Sequence, residues 1–192
     1  MSEVLLYEAM KHCEGLGVQQ RAEELAALAG ILIASKPKNI LEIGVYGGGS
    51  FAMWCYLASG KKIAIDSGSI GGPIHDRAKE FNDRFGQVHI IRADSHSAET
   101  ADMVDKILGD ESIDFLFIDG DHTLEGIQLD FALYYPFVSD GGWVAFHDVT
   151  ESDYHKNMNA GGSAEHWKSF VHPRKVHLNW RDPGFGIGAF QK

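Results

Sequence analysis

The chain has 192 residues, of which 44% are hydrophobic and 23% are charged. These values are typical of a globular protein and exclude disordered and collagen-like chains, and every apolar run is shorter than the roughly 18 residues that a membrane span requires. The net charge of −10 disfavours nucleic acids and acidic membrane surfaces as partners. It favours a cationic ligand or a metal ion, unless the excess of acids serves only solubility.

Cysteine usage and the first residues bear on the cellular compartment. Cys13 and Cys55 are too few to form a disulfide framework. The opening stretch MSEVLLYEAMKH is amphipathic and has no signal-peptide cleavage pattern. We therefore expect a cytoplasmic protein with reduced cysteines.

Short apolar strands alternate with amphipathic helices along the chain. Residues 1–36 are predicted to be helical, because apolar side chains recur three or four residues apart. Strands are predicted at 39–45, 61–66, 88–94, 112–121 and 141–149, and the helices between them at 50–58, 75–86, 97–108 and 123–138, the first with Ser50 as its N-cap. The remaining elements are a loop at 150–164, a short helix at 165–171 and two strands at 174–180 and 184–191, joined by an RDPG turn.

This order of elements predicts the α/β class. Strands alternating with helices form βαβ units, which build a mostly parallel sheet with helices on both faces. The last two of the seven strands have no helix between them, so they are predicted to form an antiparallel C-terminal hairpin at the sheet edge. We expect a single domain, 1–192, with an N-terminal helical region (1–36), a ligand-binding core (37–149), and a loop and closing hairpin (150–192).

Glycine or polar residues follow each of the first five predicted strands. In an open α/β sheet, ligands bind at the carboxyl ends of the strands, where the strand order reverses. The first strand is followed by a glycine-rich turn from Gly44 to Ser50, which lets a ligand approach the backbone closely unless it is only a tight turn. Tyr46 occupies the middle glycine position of a G-x-G-x-x-G pattern, which disfavours a dinucleotide site.

The next two strand ends favour a nucleoside. Asp66 ends the second strand, where a carboxylate can accept hydrogen bonds from ribose hydroxyls. Asp94 and Ser95 end the third strand, where their side chains could bind the polar edge of adenine. The alternative for Asp66 is an exposed carboxylate without a ligand.

The fourth and fifth strands end in acids and histidines: Asp119, Asp121, His122, His147 and Asp148. Converging carboxylates repel one another unless they are protonated or bound to a cation. Their oxygens suit Mg²⁺, and a histidine ligand would shift the preference toward Mn²⁺, Fe²⁺ or Zn²⁺. His122, which follows the fourth strand, could act as a general base. His147 could instead be a hydrogen-bonded wall residue, and His122 a histidine at a helix start without a role.

The segments LEIGVYGGGS, IAID, RADS, FIDGDH and GGWVAFHDV, in this order and spacing, resemble class I S-adenosylmethionine-dependent methyltransferases. They are most similar to the small metal-dependent O-methyltransferases, which include the catechol O-methyltransferase-like enzymes and the macrocin O-methyltransferase and cephalosporin-hydroxylase-like group. The resemblance covers about residues 18–149. It implies a Rossmann-like fold, S-adenosylmethionine and a divalent metal as cofactors, and methylation of a small hydroxylated molecule such as a sugar, a phenol or a natural product.

The resemblance also implies residue roles. His122 and Asp119 would be catalytic, with His122 at the position of a lysine in the catechol-type enzymes. The metal would be held by Asp119, His147 and Asp148, with His147 in place of the usual carboxylate. The cofactor would be bound by Glu42, Gly44, Tyr46, Gly48, Ser50, Asp66, Asp94, Ser95 and Asp119.

Three other functions remain open at this point. One is a nicotinamide-dependent oxidoreductase, which Tyr46 and the acidic end of the fourth strand disfavour. Another is a non-catalytic S-adenosylmethionine-binding or scaffold protein. The third is a methyltransferase of macromolecules, for which the negative charge disfavours a nucleic acid but permits a protein. Another subunit of a homo-oligomer could close the acceptor site, because the chain has no long added lid.

Overall fold

The computed structural model describes residues 3–158, 160–178 and 184–192. Its centre is a seven-stranded sheet of order β3-β2-β1-β4-β5-β7-β6. The strands are β1 (Ile40–Ile43), β2 (Lys62–Asp66), β3 (Val88–Arg92), β4 (Ile113–Ile118), β5 (Val138–Phe146), β6 (Lys175–Leu178) and β7 (Ile187–Gln191). The first five are parallel, and β7 is antiparallel to both β5 and β6. The predicted α/β class, the mostly parallel sheet and the C-terminal antiparallel hairpin are confirmed.

Helices cover the sheet. They are α1 (Glu3–Gly15), α2 (Ala22–Ser35), α3 (Gly49–Leu57), α4 (Ala78–Phe85), α5 (Ala98–Leu108), α6 (Leu124–Tyr134), α7 (Asp153–Asn157) and α8 (Gly162–Ser169). Within the described ranges, no helix is long and apolar enough to cross a membrane.

The N-terminal helical region differs from its prediction because it is interrupted. α1 ends at Gly15, and Gly17 has a φ of +82°, a left-handed conformation that glycine adopts without steric cost. The chain then runs from Leu16 to Arg21 before α2 begins. This connection, residues 16–21, lies across the glycine-rich turn that follows β1, because the Cβ of an alanine at Gly49 would lie 2.5 Å from Cα of Val18.

Other differences lie near the C-terminal half. The helix predicted to reach residue 138 ends at Tyr134, and a short 3₁₀ turn containing Pro136 leads directly into β5. The predicted loop at 150–164 contains α7 and the start of α8. Residues 179–183, which include most of the predicted RDPG turn, lie outside the described residues.

Apolar side chains pack on both faces of the sheet. On one face Trp54 of α3 makes edge contacts with Phe115 and Phe117 of β4, at centroid distances of 5.1 and 5.4 Å. On the other face Ile127 and Tyr134 of α6 are fully buried. Full burial of each such side chain contributes roughly 1.5–3 kcal/mol. Parallel pairing places the carboxyl ends of β1, β2, β4 and β5 side by side.

Candidate active site

A cavity of about 940 Å³ opens at the carboxyl ends of the parallel strands. It lies at the reversal of strand order, because β2 and β3 lie on one side of β1 while β4 and β5 lie on the other. The predicted site residues in its wall are Gly44, Tyr46, Ser50, Asp66, Asp94, Ser95, Asp119, His122, His147 and Asp148. Glu42 and Gly48, both predicted to bind the cofactor, lie behind this wall.

The glycine-rich turn is shaped by contacts that exclude side chains. Gly44 has a φ of +79°, and a Cβ there would lie 2.1 Å from the backbone oxygen of Asp119. A Cβ at Gly48 would instead contact the rings and methyl groups behind the turn, 2.8 Å from Phe81 Cζ. Gly44 therefore lets the turn after β1 contact the loop after β4, whereas Gly48 serves packing.

Glu42 is fully buried in β1 and supports the turn from below. Its Oε1 accepts a hydrogen bond of 2.5 Å from Ser50 Oγ, and burial raises the pKa of the Glu42 carboxyl well above its usual range. Ser50 is therefore not the predicted N-cap of α3, a position that Gly48 occupies without a side-chain cap. Glu42 positions Ser50, and Ser50 reaches the cavity.

Asp66 ties the end of β2 to the glycine-rich turn. Its Oδ2 accepts N–H hydrogen bonds from Val45 and Tyr46 at 2.9 and 2.7 Å, and its Oδ1 accepts one from Gly68 at 2.7 Å. A carboxylate has about four acceptor positions. Asp66 therefore has about one acceptor position left for a ligand in the cavity. A ribose that binds through two hydroxyls would need two such positions.

The loop after β3 rests on a buried acid that the sequence analysis missed. Asp130 of α6 is fully buried, and its Oδ1 lies 3.5 Å from His96 Nε2. Burial raises the pKa of Asp130 to about 6. Tyr134 Oη donates a 2.8 Å hydrogen bond to the backbone oxygen of Ser95. A sequence signal existed, since Asp130 shares a helix face with apolar residues three positions before and four positions after it.

Two carboxylates and two histidines form the most concentrated charge in the wall. His147 Nδ1 lies 3.1 Å from Asp119 Oδ1 and 3.2 Å from Asp148 Oδ1. His122 Nε2 lies 3.3 Å from Asp119 Oδ1, and its Nδ1 lies 3.3 Å from Asp148 Oδ2. The ends of β4 and β5 thus bring together the four residues predicted to meet there, which we call the acid–histidine cluster.

The charges in this cluster shift one another's pKa values. Burial opposes charge on the His147 ring, but Asp119 outweighs burial and raises the pKa of His147 to about 9. Burial also disfavours the Asp119 carboxylate, but His147 and His122 outweigh it and lower the pKa of Asp119 to about 2. The same balance of burial against Asp119 raises the pKa of His122, and burial raises that of Asp148. His147 and Asp119 thus form an ion pair at neutral pH.

Gln20 joins the cluster from residues 16–21. Its Nε2 donates a 2.5 Å hydrogen bond to Asp119 Oδ2, and its side chain is buried. Its Oε1 is buried without a hydrogen-bond partner among the described residues. No pattern in the sequence indicates Gln20, because the residue that it contacts, Asp119, lies 99 positions later in the chain.

The predicted metal site finds no support in this geometry. Among the described residues, no group of three or more His, Cys, Asp or Glu side chains is arranged to hold a metal ion. His147 Nε2 is buried and lacks a hydrogen-bond partner within those residues. Metal-binding histidines nearly always donate their second ring N–H to a carboxylate or carbonyl. Asp119, His147 and Asp148 therefore fit a hydrogen-bonded cluster better than a set of metal ligands.

Comparison with known proteins identifies the family. A family model described as a methyltransferase domain matches residues 41–149, more than half of the chain. The chain belongs to this methyltransferase-domain family. This match confirms the predicted methyltransferase domain.

Relatives and solved structures extend this finding. An uncharacterised protein of Acanthamoeba polyphaga mimivirus is 34% identical over 118 residues, which cover 58% of this chain and 51% of the relative. The chain thus spans about half the length of that relative. An O-methyltransferase from Bacillus cereus, solved with S-adenosylhomocysteine, superposes with a TM-score of 0.66 at 17% identity and covers 100% of this chain and 92% of its own. The O-methyltransferase TomG from Streptomyces achromogenes, solved with S-adenosylmethionine, gives 0.61 at 19% identity over 100% and 90%. These TM-scores show a shared fold.

Proposed function

We propose that this methyltransferase transfers a methyl group from S-adenosylmethionine to a hydroxyl oxygen of a small molecule. The observation that carries the proposal is the acid–histidine cluster in the wall of the same cavity as the glycine-rich turn. The two solved O-methyltransferases, with their bound cofactors, support this assignment by their shared fold.

The cofactor would lie along the ends of β1, β2 and β3. We assign its methionine part to Gly44, Tyr46 and Ser50, which line the cavity beside the free N–H groups at the start of α3. The remaining acceptor position of Asp66 would take one ribose hydroxyl, and Asp94 with Ser95 would flank the adenine. Asp119 would face the positive sulfonium, which a carboxylate stabilises.

The acceptor would enter beside the acid–histidine cluster. The wall there includes His155, Met158 and Phe185, a mixture of polar and apolar side chains suited to a hydroxylated ring. In the transfer, an acceptor oxygen lone pair forms a bond to the methyl carbon, and the carbon–sulfur bond breaks with its electrons going to sulfur. Alignment of these atoms supplies much of the acceleration.

His122 would take the proton that the acceptor hydroxyl loses. Its ring is partly exposed to the cavity and lies between two carboxylates that stabilise the imidazolium. To act, one ring nitrogen must leave its carboxylate contact and face the hydroxyl. General-base catalysis of this kind contributes roughly 10²–10⁴-fold to the rate.

The proposal is tested by binding and then by transfer. Calorimetric titration of the purified chain with S-adenosylhomocysteine should show micromolar or tighter binding, and NAD should show none. Incubation with methyl-labelled S-adenosylmethionine and separate phenol, catechol and sugar acceptors should then label an acceptor oxygen. Failure to bind S-adenosylhomocysteine would contradict the proposed cofactor, and labelling of nitrogen or carbon alone would contradict the proposed acceptor atom.

A further inference from the structure

We propose that the two carboxylates of the acid–histidine cluster are held together by this chain's own nitrogen donors, so that methyl transfer proceeds without a divalent ion. His147 is the positioning residue at the centre of this arrangement. The inference rests on the proposed function, because it concerns how the same site handles its acceptor.

Every oxygen of the two carboxylates faces a nitrogen. Asp119 Oδ1 faces His147 and His122 at 3.1 and 3.3 Å, and its Oδ2 faces Gln20 at 2.5 Å. Asp148 Oδ1 faces His147 at 3.2 Å, and its Oδ2 faces His122 and His155 at 3.3 and 3.8 Å. Both oxygens of Asp119 are therefore engaged, whereas Asp148 Oδ1 approaches the His147 nitrogen without forming a hydrogen bond.

A single atom, His147 Nδ1, lies where a bridging cation would be needed. Neighbouring carboxylates repel each other unless a cation or a hydrogen-bond donor stands between them. A ring N–H at Nδ1 supplies that donor, and the side chain is only 4% exposed, so water does not replace it. Mg²⁺ would bind carboxylate oxygens at about 2.0–2.1 Å and retain several waters. It would have to remove this N–H from between the two acids.

The role follows from these contacts. His147 keeps Asp119 and Asp148 close enough for His122 to reach both of them. Asp119 is thereby fixed by His147 and Gln20 while His122 remains exposed to the cavity. The chain thus needs no ion to assemble the carboxylates around the base.

The test measures metal binding directly as well as activity. The full-length chain, freed of metals by chelation and gel filtration, is titrated with Mn²⁺ and followed by electron paramagnetic resonance. Methyl transfer is then measured with and without a chelator. We expect bound Mn²⁺ well below one per chain and an unchanged rate. One tightly bound Mn²⁺ per chain, together with loss of activity on chelation, would overturn the inference.

Two variants make the test sharper. His147→Asp replaces the donor with a third carboxylate, so it should bind Mn²⁺ at least about tenfold more tightly than the wild type and become sensitive to chelation. His172→Asp makes the same change outside the cavity wall and should leave Mn²⁺ binding and activity unaltered. If His147→Asp binds Mn²⁺ no better than the wild type, its ring does not exclude the ion and the inference fails.

Failure here is distinguishable from failure of the proposed function. A chain that binds S-adenosylhomocysteine and requires Mn²⁺ for transfer refutes only the metal-free inference. A chain that binds no S-adenosylhomocysteine refutes the proposed cofactor. Should His147→Asp fail to fold by circular dichroism, the Mn²⁺ titration of the wild type still decides the question.

Discussion

The two halves of the cavity are built in different ways. At the ends of β1 and β2, acids bind the chain's own backbone or a neighbouring hydroxyl. Asp66 accepts hydrogen bonds from three backbone N–H groups, and Glu42 accepts one from the Ser50 hydroxyl. At the ends of β4 and β5, side chains from separate elements face one another, and their charges set one another's pKa values. The first half is thus a backbone scaffold, whereas the second is an electrostatic cluster. Substitutions in the first should affect folding and cofactor binding, and those in the second should affect the rate of transfer.

The largest expected effect is that of Gly44→Ala, because Gly44 lies where the two halves of the cavity meet. Its Cβ would lie 2.1 Å from the backbone of Asp119, and its φ of +79° disfavours any other residue. We expect a loss of more than about 2 kcal/mol in the free energy of unfolding and loss of S-adenosylhomocysteine binding. Denaturant unfolding and calorimetry measure the two effects.

Gly30→Ala is the matched control for this substitution. Gly30 lies within α2, and a Cβ there would meet no atom within 4 Å. Alanine should stabilise the helix by roughly 0.5–1 kcal/mol. Equal effects of the two substitutions would contradict the proposed contact between the turn and the β4 loop.

His122→Gln tests the electrostatic half alone. It removes the proposed base while keeping a side chain that can hydrogen-bond Asp119. We expect kcat to fall about 10²–10⁴-fold with little change in the dissociation constant for S-adenosylhomocysteine. Because Asp119 raises the pKa of His122 above its ordinary value of 6.5, the wild-type rate should increase with pH through a range above 6.5. A flat pH–rate profile, or an unchanged kcat in the variant, would exclude His122 as the base.

Asp66→Asn tests the scaffold half with the opposite expectation. Oδ1 and Oδ2 of Asp66 both accept N–H groups, and the amide nitrogen of asparagine cannot accept one, so at least one of the three donors loses its partner. Such a loss costs about 1–3 kcal/mol and should weaken S-adenosylhomocysteine binding about tenfold or more. At saturating cofactor, kcat should remain close to that of the wild type. A fall in kcat with unchanged binding would show that the two halves are not separable.

The sequence placed residues of both halves at the cavity, but it missed contacts that depend on how distant segments fold together. Strand ends and glycine positions follow from local periodicity, so Gly44, Ser50 and Asp66 could be placed at the cavity in advance. Gln20 could not, because its contact with Asp119 depends on how the chain turns at Gly17 and folds back over the sheet. Tertiary contacts of this kind leave no short-range pattern.

The same dependence on tertiary contacts explains why the predicted metal site finds no support in the geometry. Spacing correctly indicated that Asp119, His147 and Asp148 would meet, because the ends of adjacent parallel strands lie together. Whether they bind an ion or one another depends on the orientation of the His147 ring. That orientation depends on tertiary contacts: Nδ1 lies 3.1 Å from Asp119 Oδ1, and the rings of Phe117 and Phe185 lie 6.5 and 6.3 Å away between centroids.

The smallest effect concerns Asp130, which lies beneath the scaffold half and outside both sets of functional contacts. Burial raises its pKa from 3.8 to about 6. The folded chain therefore holds a proton that the unfolded chain releases, so this acid's contribution to stability is full below about pH 3.8 and is lost as the pH rises through about 6. Asp130→Asn cannot titrate. It should be more stable than the wild type near pH 7, with the difference disappearing near pH 4.

Chemical unfolding of both proteins at pH 4, 5, 6 and 7 measures this difference. A constant difference across the series would show that Asp130 does not change its ionisation on folding. A variant that is less stable at pH 7 would show that His96 compensates the buried charge, since their nearest atoms are 3.5 Å apart. Because Asp130 supports the loop that carries Asp94 and Ser95, S-adenosylhomocysteine affinity should follow the same pH dependence in the wild type and lose it in the variant. That would extend the scaffold half from the glycine-rich turn to the loop after β3.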